Sequence, residues 1–130
     1  MITKIGAAII NEGKLLVVSK KKHPDQYMLP GGKPENGENE IGTLKRELFE
    51  ELQIEVTSHE KLGTYRTTSM FDDEELHLTV YLTEIEGQPT PSSEIDAFQW
   101  ISIEDEEACA DFGSGIRHFT LPLLRERMSS

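Results

Sequence analysis

The chain has 130 residues and a formal net charge of −11, because 24 aspartates and glutamates outnumber 13 lysines and arginines. This length predicts one domain, over residues 1–130, with its own buried core. The acidic balance argues against a nucleic-acid polymer as the main partner, since phosphate backbones are held by basic surfaces, but it allows a small anionic ligand that binds together with a metal ion.

The N-terminal part of the chain predicts a β-hairpin followed by a basic segment. Two apolar, β-prone stretches, residues 2–10 and 15–19, flank the turn-forming sequence Asn-Glu-Gly-Lys at 11–14. Three lysines and a histidine follow at 20–23, a concentration of positive charge in an acidic chain. This basic patch is either a solvated strand end or a means of attracting phosphate.

Residues 39–52 have the spacing of an amphipathic helix with an apolar stripe next to an acidic one. On a helical wheel, Glu50 and Glu51 lie within about 60° of Glu47, so three carboxylates share one face. Like charges at this spacing destabilise a helix by a few tenths of a kcal/mol per pair, and we therefore expect a cation at this face. A hard divalent cation such as Mg²⁺ prefers oxygen ligands and can share its coordination sphere with a phosphate.

Two features next to the acidic stripe fit such a site. Gly31 and Gly32 precede the helix and allow a ligand to approach the backbone closely, where a free carbonyl could join the coordination. Arg46 lies four residues before Glu50 and can pair with it across one helical turn. The sequence therefore predicts a divalent metal site where the glycines meet the helix.

The rest of the chain is predicted to complete an α/β fold. Strands are expected at 54–57, 62–70, 76–85 and 97–103, with an acidic turn at 71–75 and a loop at 86–93. A short acidic helix or turn at 104–110 and a closing helix at 116–128 follow. Alternating strands and two main helices indicate an α/β/α sandwich around a mixed sheet.

Together, Gly32, Glu38 and the run Arg46-Glu47-Leu48-Phe49-Glu50-Glu51, separated by five and seven residues, resemble the Nudix box. This box is the signature of the Nudix hydrolases, and the resemblance implies their α/β/α sandwich with a central mixed sheet. The chain departs from the pattern at Gln53, where the family usually has a glycine. Gln53 implies either about 1 kcal/mol of strain in a left-handed cap or a differently closed last helical turn.

The resemblance also implies the chemistry, which is metal-dependent hydrolysis of a phosphoanhydride in a nucleoside diphosphate linked to another group X. The implied metal ligands are the Gly32 carbonyl, Glu47, Glu50 and Glu51, with Mg²⁺ as the expected cofactor and Mn²⁺ as an alternative. Glu47 or Glu50 could be the general base that takes a proton from water. Glu94, on a loop expected to be mobile, is the third candidate for this base or for a further metal-linked carboxylate.

Four other residues are expected near this site. Glu38 and Arg46 would orient the loop and the helix rather than contact phosphorus. Lys33 is either a phosphate contact or a solvated lysine. Tyr27 is either a contact to base or ribose, as aromatic residues at this place often are in Nudix proteins, or an ordinary packing residue.

The segment 29–35 resembles MutT-like pyrophosphohydrolases, which convert an NTP or dNTP to the monophosphate and pyrophosphate and can sanitise nucleotide pools. The lack of proline at 57–88 argues against ADP-ribose as substrate. Thr120-Leu121-Pro122 lacks the asparagine that enzymes for oxidised guanine nucleotides tend to have ahead of this proline, which argues against 8-oxo-dGTP. The alternatives are a nucleotide-sugar or dinucleoside polyphosphate hydrolase and a nucleotide-binding sensor without turnover.

The expected compartment is the cytoplasm. Cys109 is the only cysteine, so no internal disulfide can form and a reducing environment is favoured. The sequence has no signal-peptide pattern and no apolar run approaching about 18 residues, so neither export nor a membrane span is expected. We expect a monomer or homodimer that takes a small-molecule nucleotide.

Overall fold

The computed structural model describes residues 2–68, 74–102 and 124 of the chain. Within these residues there are seven strands and the helix α1. The strands are β1 (Ile2–Asn11), β2 (Lys14–Lys20), β3 (His23–Met28), β4 (Gly31–Gly32), β5 (Glu55–Thr68), β6 (Glu75–Glu86) and β7 (Ile95–Ser102), and α1 spans Glu40–Leu52. No helix in the described ranges is long and apolar enough to cross a membrane.

The sheet is mixed, as predicted. β1 runs parallel to β6, with Ile2 opposite Leu76 and Ile9 opposite Thr83, and the other strand pairs are antiparallel. The main order is β3-β2-β1-β6-β5, while β4 pairs with β1 and β7 pairs with β2. Because a parallel pair needs a long crossover, the chain between β1 and β6 has room for the glycine segment and for α1.

Apolar residues fill both faces of the sheet. On one face, Leu44, Leu48 and Leu52 of α1 pack with alternate residues of the central strands, among them Ile5, Ala7, Ile9, Leu16 and Val18. On the other face, Ala8, Leu15 and Val17 share a cluster with the helical residue Leu124, which is buried. Both faces are therefore covered, and the predicted α/β sandwich is confirmed.

Both ends of α1 are closed by side chains. The Asn39 side chain accepts a hydrogen bond from the Gly42 N–H at 2.7 Å and caps the first turn. At the other end, Gln53 adopts the left-handed conformation, with φ 58° and ψ 38°. Its side-chain amide donates to the Phe49 carbonyl at 2.9 Å. Of the two alternatives for this position, the structure therefore has the left-handed cap on a non-glycine residue.

The strand after α1 differs from the prediction, and the predicted C-terminal elements lie almost entirely outside the described residues. Separate strands at 54–57 and 62–70 were wrong, because β5 is one strand from Glu55 to Thr68 whose register against β6 shifts twice. The shifts leave Thr57 and Leu62 without a partner in β6, while the polar residues 58–61 between them are paired, so β5 continues through the stretch where the apolar pattern is interrupted. The acidic segment 104–110, Cys109, Thr120 and the closing helix at 116–128 lie outside the described residues, apart from Leu124.

Candidate active site

Two carboxylates of α1 converge on the glycine pair of β4. The Glu51 carboxylate accepts a hydrogen bond from the Gly31 N–H at 2.9 Å, although Glu51 is only 7% exposed. A Cβ built on Gly32 would lie 2.5 to 2.7 Å from the three carboxyl atoms of Glu47. Glycine at position 32 therefore gives the Glu47 carboxylate the space that it occupies.

Gly31 is needed for a different reason. Its φ is +143°, and a Cβ there would lie 2.0 Å from the carbonyl oxygen of Ile5. Only glycine allows β4 to pair with β1 at this point. The pairing holds the Gly31 N–H in the position from which it donates to Glu51.

Burial dominates the electrostatics of these two carboxylates. The pKa of Glu51 is raised to about 8, chiefly by desolvation, with smaller upward effects of the Glu47 and Glu94 charges and opposing effects of the Gly31 N–H and Lys20. Desolvation also raises the pKa of Glu47, while the Arg46 guanidinium opposes that shift. A buried carboxylate with a raised pKa is a group whose negative charge the protein compensates only in part.

Arg46 connects the loop before the helix with the carboxylates. Its guanidinium donates to both carboxylate oxygens of Glu38 at 2.8 and 2.9 Å and to Glu47 at 2.8 Å. It also donates to the Lys33 carbonyl at 3.1 Å and reaches Glu50 at 3.3 Å, the contact that the helical spacing predicts. The fork of the guanidinium fixes the Glu47 carboxylate relative to the loop.

Glu38 is held on several sides. Besides Arg46, the Glu35 N–H and the Thr43 hydroxyl donate to its carboxylate, at 3.0 and 2.9 Å. The hydrogen bonds from Arg46, followed by that from the Glu35 backbone, lower the pKa of Glu38 to about 2. Glu38 thus remains ionised at neutral pH and orients Arg46 rather than facing the glycines.

Two other acidic residues of α1, Glu40 and Glu50, do not lie with Glu47 and Glu51 at the glycine pair. The Glu50 side chain is 50% exposed and points to Arg46. Glu40 accepts a hydrogen bond from the Tyr81 hydroxyl at 2.5 Å and lies 3.4 Å from the Lys61 ammonium. The Tyr81 hydroxyl lowers the pKa of Glu40, while burial and then this hydrogen bond raise that of Tyr81 to about 12. Glu40 therefore ties α1 to the sheet, away from Gly32.

A cleft of about 680 Å³ opens over the carboxylates. Glu35, Glu47, Glu51 and Glu94 line it, and so do the five lysines Lys4, Lys20, Lys21, Lys22 and Lys33. Neither Tyr27 nor Glu50 is among the lining residues. Tyr27 packs against the core cluster on the face of the sheet that Leu124 covers. The cleft thus combines buried carboxylates with a rim of cations.

The segment that carries Glu94 is attached to its surroundings by backbone hydrogen bonds. The Thr90 N–H donates to the Leu52 carbonyl and the Ser92 N–H to the Glu51 carbonyl, each at 2.9 Å. The Lys21 N–H donates to the carbonyl of Glu94 itself at 2.9 Å. The loop that the sequence predicts to be mobile is therefore fastened both to the end of α1 and to the basic segment.

The oxygen donors around Gly32 fit a hard divalent cation. Carboxylate oxygens of Glu47 and Glu51 adjoin the glycine backbone, and such oxygens are the ligands that Mg²⁺ and Mn²⁺ accept. In the described part of the chain, no three histidine, cysteine, aspartate or glutamate side chains are already grouped tightly enough to hold one ion. The carboxylates of Glu47 and Glu51 could supply part of a ligand set, and the whole predicted set of Gly32, Glu47, Glu50 and Glu51 stays a prediction.

Comparison with known proteins identifies the family. A sequence model of the NUDIX domain matches residues 3–121. The chain belongs to the Nudix hydrolase family. Nudix hydrolases generally use divalent metals and act on small-molecule nucleotides. The Nudix box of this chain comprises the glycine pair, the Glu38–Arg46 link and the carboxylates of α1.

Solved structures of Nudix proteins share the fold. A MutT NUDIX hydrolase from Burkholderia pseudomallei is 28% identical, with a TM-score of 0.71 over 80% of this chain and 84% of that chain. The MutT protein of Methanosarcina mazei Go1 is 22% identical, with a TM-score of 0.82 over 97% of this chain and 94% of that one, and shows likeness of fold alone.

A curated relative is considerably longer than the matched region. The methanol dehydrogenase activator of Bacillus methanolicus is 38% identical over 76 residues, which are 56% of this chain and 41% of that protein. The match thus spans less than half of the relative's length.

The helical wheel also contains a signal for the unequal burial of Glu47, Glu50 and Glu51, which the sequence prediction did not use. Measured from the apolar residue Leu44 on a helical wheel, Glu51 lies about 20° away, Glu47 about 60° and Glu50 about 120°. The exposed fractions follow this order, since Glu51 is 7% exposed and the side chains of Glu47 and Glu50 are 16% and 50% exposed. The position of Glu51 within the apolar stripe predicts its burial. Thr43, which supports Glu38, had no comparable signal.

Proposed function

We propose that this Nudix hydrolase cleaves a phosphoanhydride in a nucleoside diphosphate linked to a group X, in the MutT-like manner that converts an NTP or dNTP and water to the monophosphate and pyrophosphate. The observation that carries the proposal is the convergence of Glu47 and the buried Glu51 on Gly31 and Gly32, beneath a rim of lysines. Carboxylates that hold a cation and lysines that face them match a polyphosphate bound together with its metal.

We propose Mg²⁺ as the cofactor, with Mn²⁺ as a substitute. Glu47, Glu50, Glu51 and the Gly32 carbonyl would hold it. When bound, the cation would neutralise phosphate charge and lower the pKa of a water molecule. Glu51 has the strongest requirement for such a partner, because its carboxylate is buried with one described hydrogen bond to the backbone.

The chain's own groups orient the substrate and accept the proton. Arg46, itself held by Glu38, keeps the Glu47 carboxylate against the glycines. Burial raises the pKa of the Glu47 carboxylate and so makes it a stronger base than an exposed glutamate, and we favour Glu47 as the general base. Glu94 also lines the cleft and is the alternative general base. Glu50 could act as the base only if it gave up its hydrogen bond with Arg46.

Binding of the phosphates falls to the cationic rim. Lys33 follows the glycine pair directly and lines the cleft, so we propose that it contacts phosphate. Tyr27 packs against the core outside this cleft, so a contact to the base would require a substrate that extends beyond the described lining. A nucleotide substrate and the single cysteine favour action in the cytoplasm.

A substrate panel tests the proposal. Wild-type protein, Glu51→Gln and the control Glu86→Gln, which alters an exposed residue at the end of β6, are incubated with NTPs, dNTPs, oxidised dNTPs, ADP-ribose, nucleotide sugars and dinucleoside polyphosphates, with Mg²⁺ or EDTA. Chromatographic separation should give monophosphate and pyrophosphate from an NTP or dNTP, in wild type and control alone. A sugar phosphate or a second nucleotide as product would assign another Nudix branch. Intact substrates that still raise the melting temperature would indicate a sensor.

A further inference from the structure

Lys20 is placed at the cleft by the regular alternation of β2. Side chains at positions 16 and 18 are buried in the cluster that includes α1, so the side chain two residues further on lies on the same face. Lys20 is the last residue of β2 and marks the point where the apolar face ends. There it lines the cleft together with Glu47 and Glu51.

Both neighbouring strands adapt at this residue while β2 stays regular. Ser19 pairs with Ala97 and Lys20 with Ile95, so β7 carries one additional residue between the two pairs. On the other side, Ser19 pairs with Tyr27 and Lys20 with His23, so β3 carries three additional residues. Irregularities of this kind are common next to active sites, where they direct side chains or end the pairing. Lys20 is thus held between two strands at the edge of the cleft.

The Lys20 ammonium group lies at the site without forming a direct ion pair to a described residue there. Lys20 shares the lining of the cleft with Glu47 and Glu51, and its charge acts to lower the pKa of both carboxylates against the larger effect of their burial. Nevertheless, none of the ion pairs in the described ranges includes Lys20. A cation held beside carboxylates without pairing to them is available to an anionic ligand.

The cleft concentrates cations more than its carboxylates require. Five of the chain's 13 lysines and arginines line this one cleft, although the net charge of the chain is −11. The terminal phosphoryl group of a triphosphate carries a charge of about −1.5 to −2 at neutral pH, as a phosphate monoester does, because it has two ionisable oxygens. Both phosphates of a nucleotide sugar are esterified at their outer ends, so that substrate lacks a dianionic end. The cationic rim therefore matches a triphosphate better than a nucleotide sugar.

We propose that Lys20 binds the terminal phosphoryl group of the substrate and thereby makes the enzyme prefer nucleoside triphosphates to nucleotide sugars. This inference rests on the proposed function and assigns one side chain to the choice between its substrate branches. Lys20 acts as a specificity residue, because it contacts the end of the phosphate chain and takes no part in proton transfer.

Steady-state kinetics with one NTP and the nucleotide sugar of the same base test this assignment. The variants are Lys20→Ala, Lys20→Arg and the control Lys14→Ala, which removes an exposed lysine at the opposite end of the same strand. Lys20→Ala should raise KM for the NTP about tenfold to a hundredfold, the range of one charge-assisted hydrogen bond, with kcat changed less than about threefold. The nucleotide sugar should keep its kcat/KM within about threefold. Lys20→Arg should restore most of the NTP affinity, and Lys14→Ala should match wild type.

Equal losses with both substrates, or no change in KM for the NTP, would overturn the assignment. So would a wild-type enzyme that cleaves only nucleotide sugars, although the broader hydrolase proposal would then stand. A binding measurement separates the two proposals, with inorganic tripolyphosphate and pyrophosphate as probes in thermal shift. Should wild type hydrolyse nothing, the proposed function fails, but stabilisation by these probes that is lost in Lys20→Ala would still support the role of Lys20. Equal stabilisation of wild type and Lys20→Ala would refute it.

Discussion

Replacing Glu51 by glutamine should abolish activity and at the same time change how the stability of the metal-free protein depends on pH. An ordinary glutamate loses its proton near pH 4.5, whereas burial raises the pKa of Glu51 in the folded protein to about 8. Between these values the folded state holds one proton more than the unfolded state. The stability of the wild type should therefore fall as the pH rises through this window.

The magnitude follows from the size of the shift. One pKa unit corresponds to about 1.4 kcal/mol, so the Glu51 contribution should reach on the order of 3 kcal/mol at pH 7. Glutamine carries no titrating proton, and its buried amide changes stability by an amount that does not vary with pH. Glu38 acts in the opposite direction, because its pKa is lowered to about 2 and its contribution is lost only as the pH falls below about 4.5. The range from pH 5 to 8 thus isolates Glu51 from Glu38.

Urea unfolding in EDTA, measured between pH 5 and 8, provides the assay. The free energy of unfolding of Glu51→Gln minus that of the wild type should grow by about 1.4 kcal/mol per pH unit. The control Glu86→Gln, which alters an exposed carboxylate at the end of β6, should not reproduce this growth. A constant difference for Glu51→Gln as well would refute the reasoning, because the Glu51 carboxylate would then not be desolvated.

Three other substitutions test the geometry of the box. Gly32→Ala introduces a Cβ that would lie 2.5 to 2.7 Å from the Glu47 carboxyl atoms and would displace this carboxylate. The kcat should therefore fall at least about tenfold, while the melting temperature stays close to that of the wild type. A kcat equal to that of the wild type would contradict this prediction. Gln53→Gly and Gln53→Ala both lose the side-chain hydrogen bond to Phe49, but only glycine relieves the left-handed strain, so the free energy of unfolding of Gln53→Gly should exceed that of Gln53→Ala by about 1 kcal/mol. Identical stabilities in urea would exclude strain at this cap. Arg46→Lys loses the guanidinium fork, so it should lower the free energy of unfolding by about 1–2 kcal/mol and remove most of the activity. The control Arg66→Lys on β5 should have neither effect. Unchanged kinetics in Arg46→Lys would contradict the positioning role of Arg46.

The sequence predicted the helix and most of the strands because these elements depend on local patterns. The apolar spacing of 39–52 defines α1, whose N-cap is Asn39. β5 was divided into two predicted strands because polar residues interrupt its alternation, and only pairing with β6 keeps it continuous. Strand pairing is a long-range property, so the local pattern could not supply it.

The candidate site was predictable in its members but not in their arrangement. Spacing placed Glu47, Glu50 and Glu51 on one face, and the angle of each from the apolar stripe indicates their order of burial. Only the packing of α1 on the sheet brings Glu51 to the Gly31 N–H and leaves Glu50 with Arg46. Lys20 was recognised only as part of a basic patch, because its position at the cleft depends on the pairing of β2 with β3 and β7. The attachment of the Glu94 loop likewise depends on backbone hydrogen bonds to α1 and Lys21, which no side-chain pattern encodes.

The proposed reaction is tested most directly by a ³¹P NMR time course of one nucleoside triphosphate with Mg²⁺, recorded for the wild type and for Glu51→Gln. The three triphosphate resonances of the wild-type sample should be replaced by those of monophosphate and pyrophosphate, EDTA should prevent this, and Glu51→Gln should slow it by about two orders of magnitude or more. Equal rates in the two proteins, or cleavage that persists in EDTA, would contradict the claim that the buried carboxylate at the glycine pair supports the reaction.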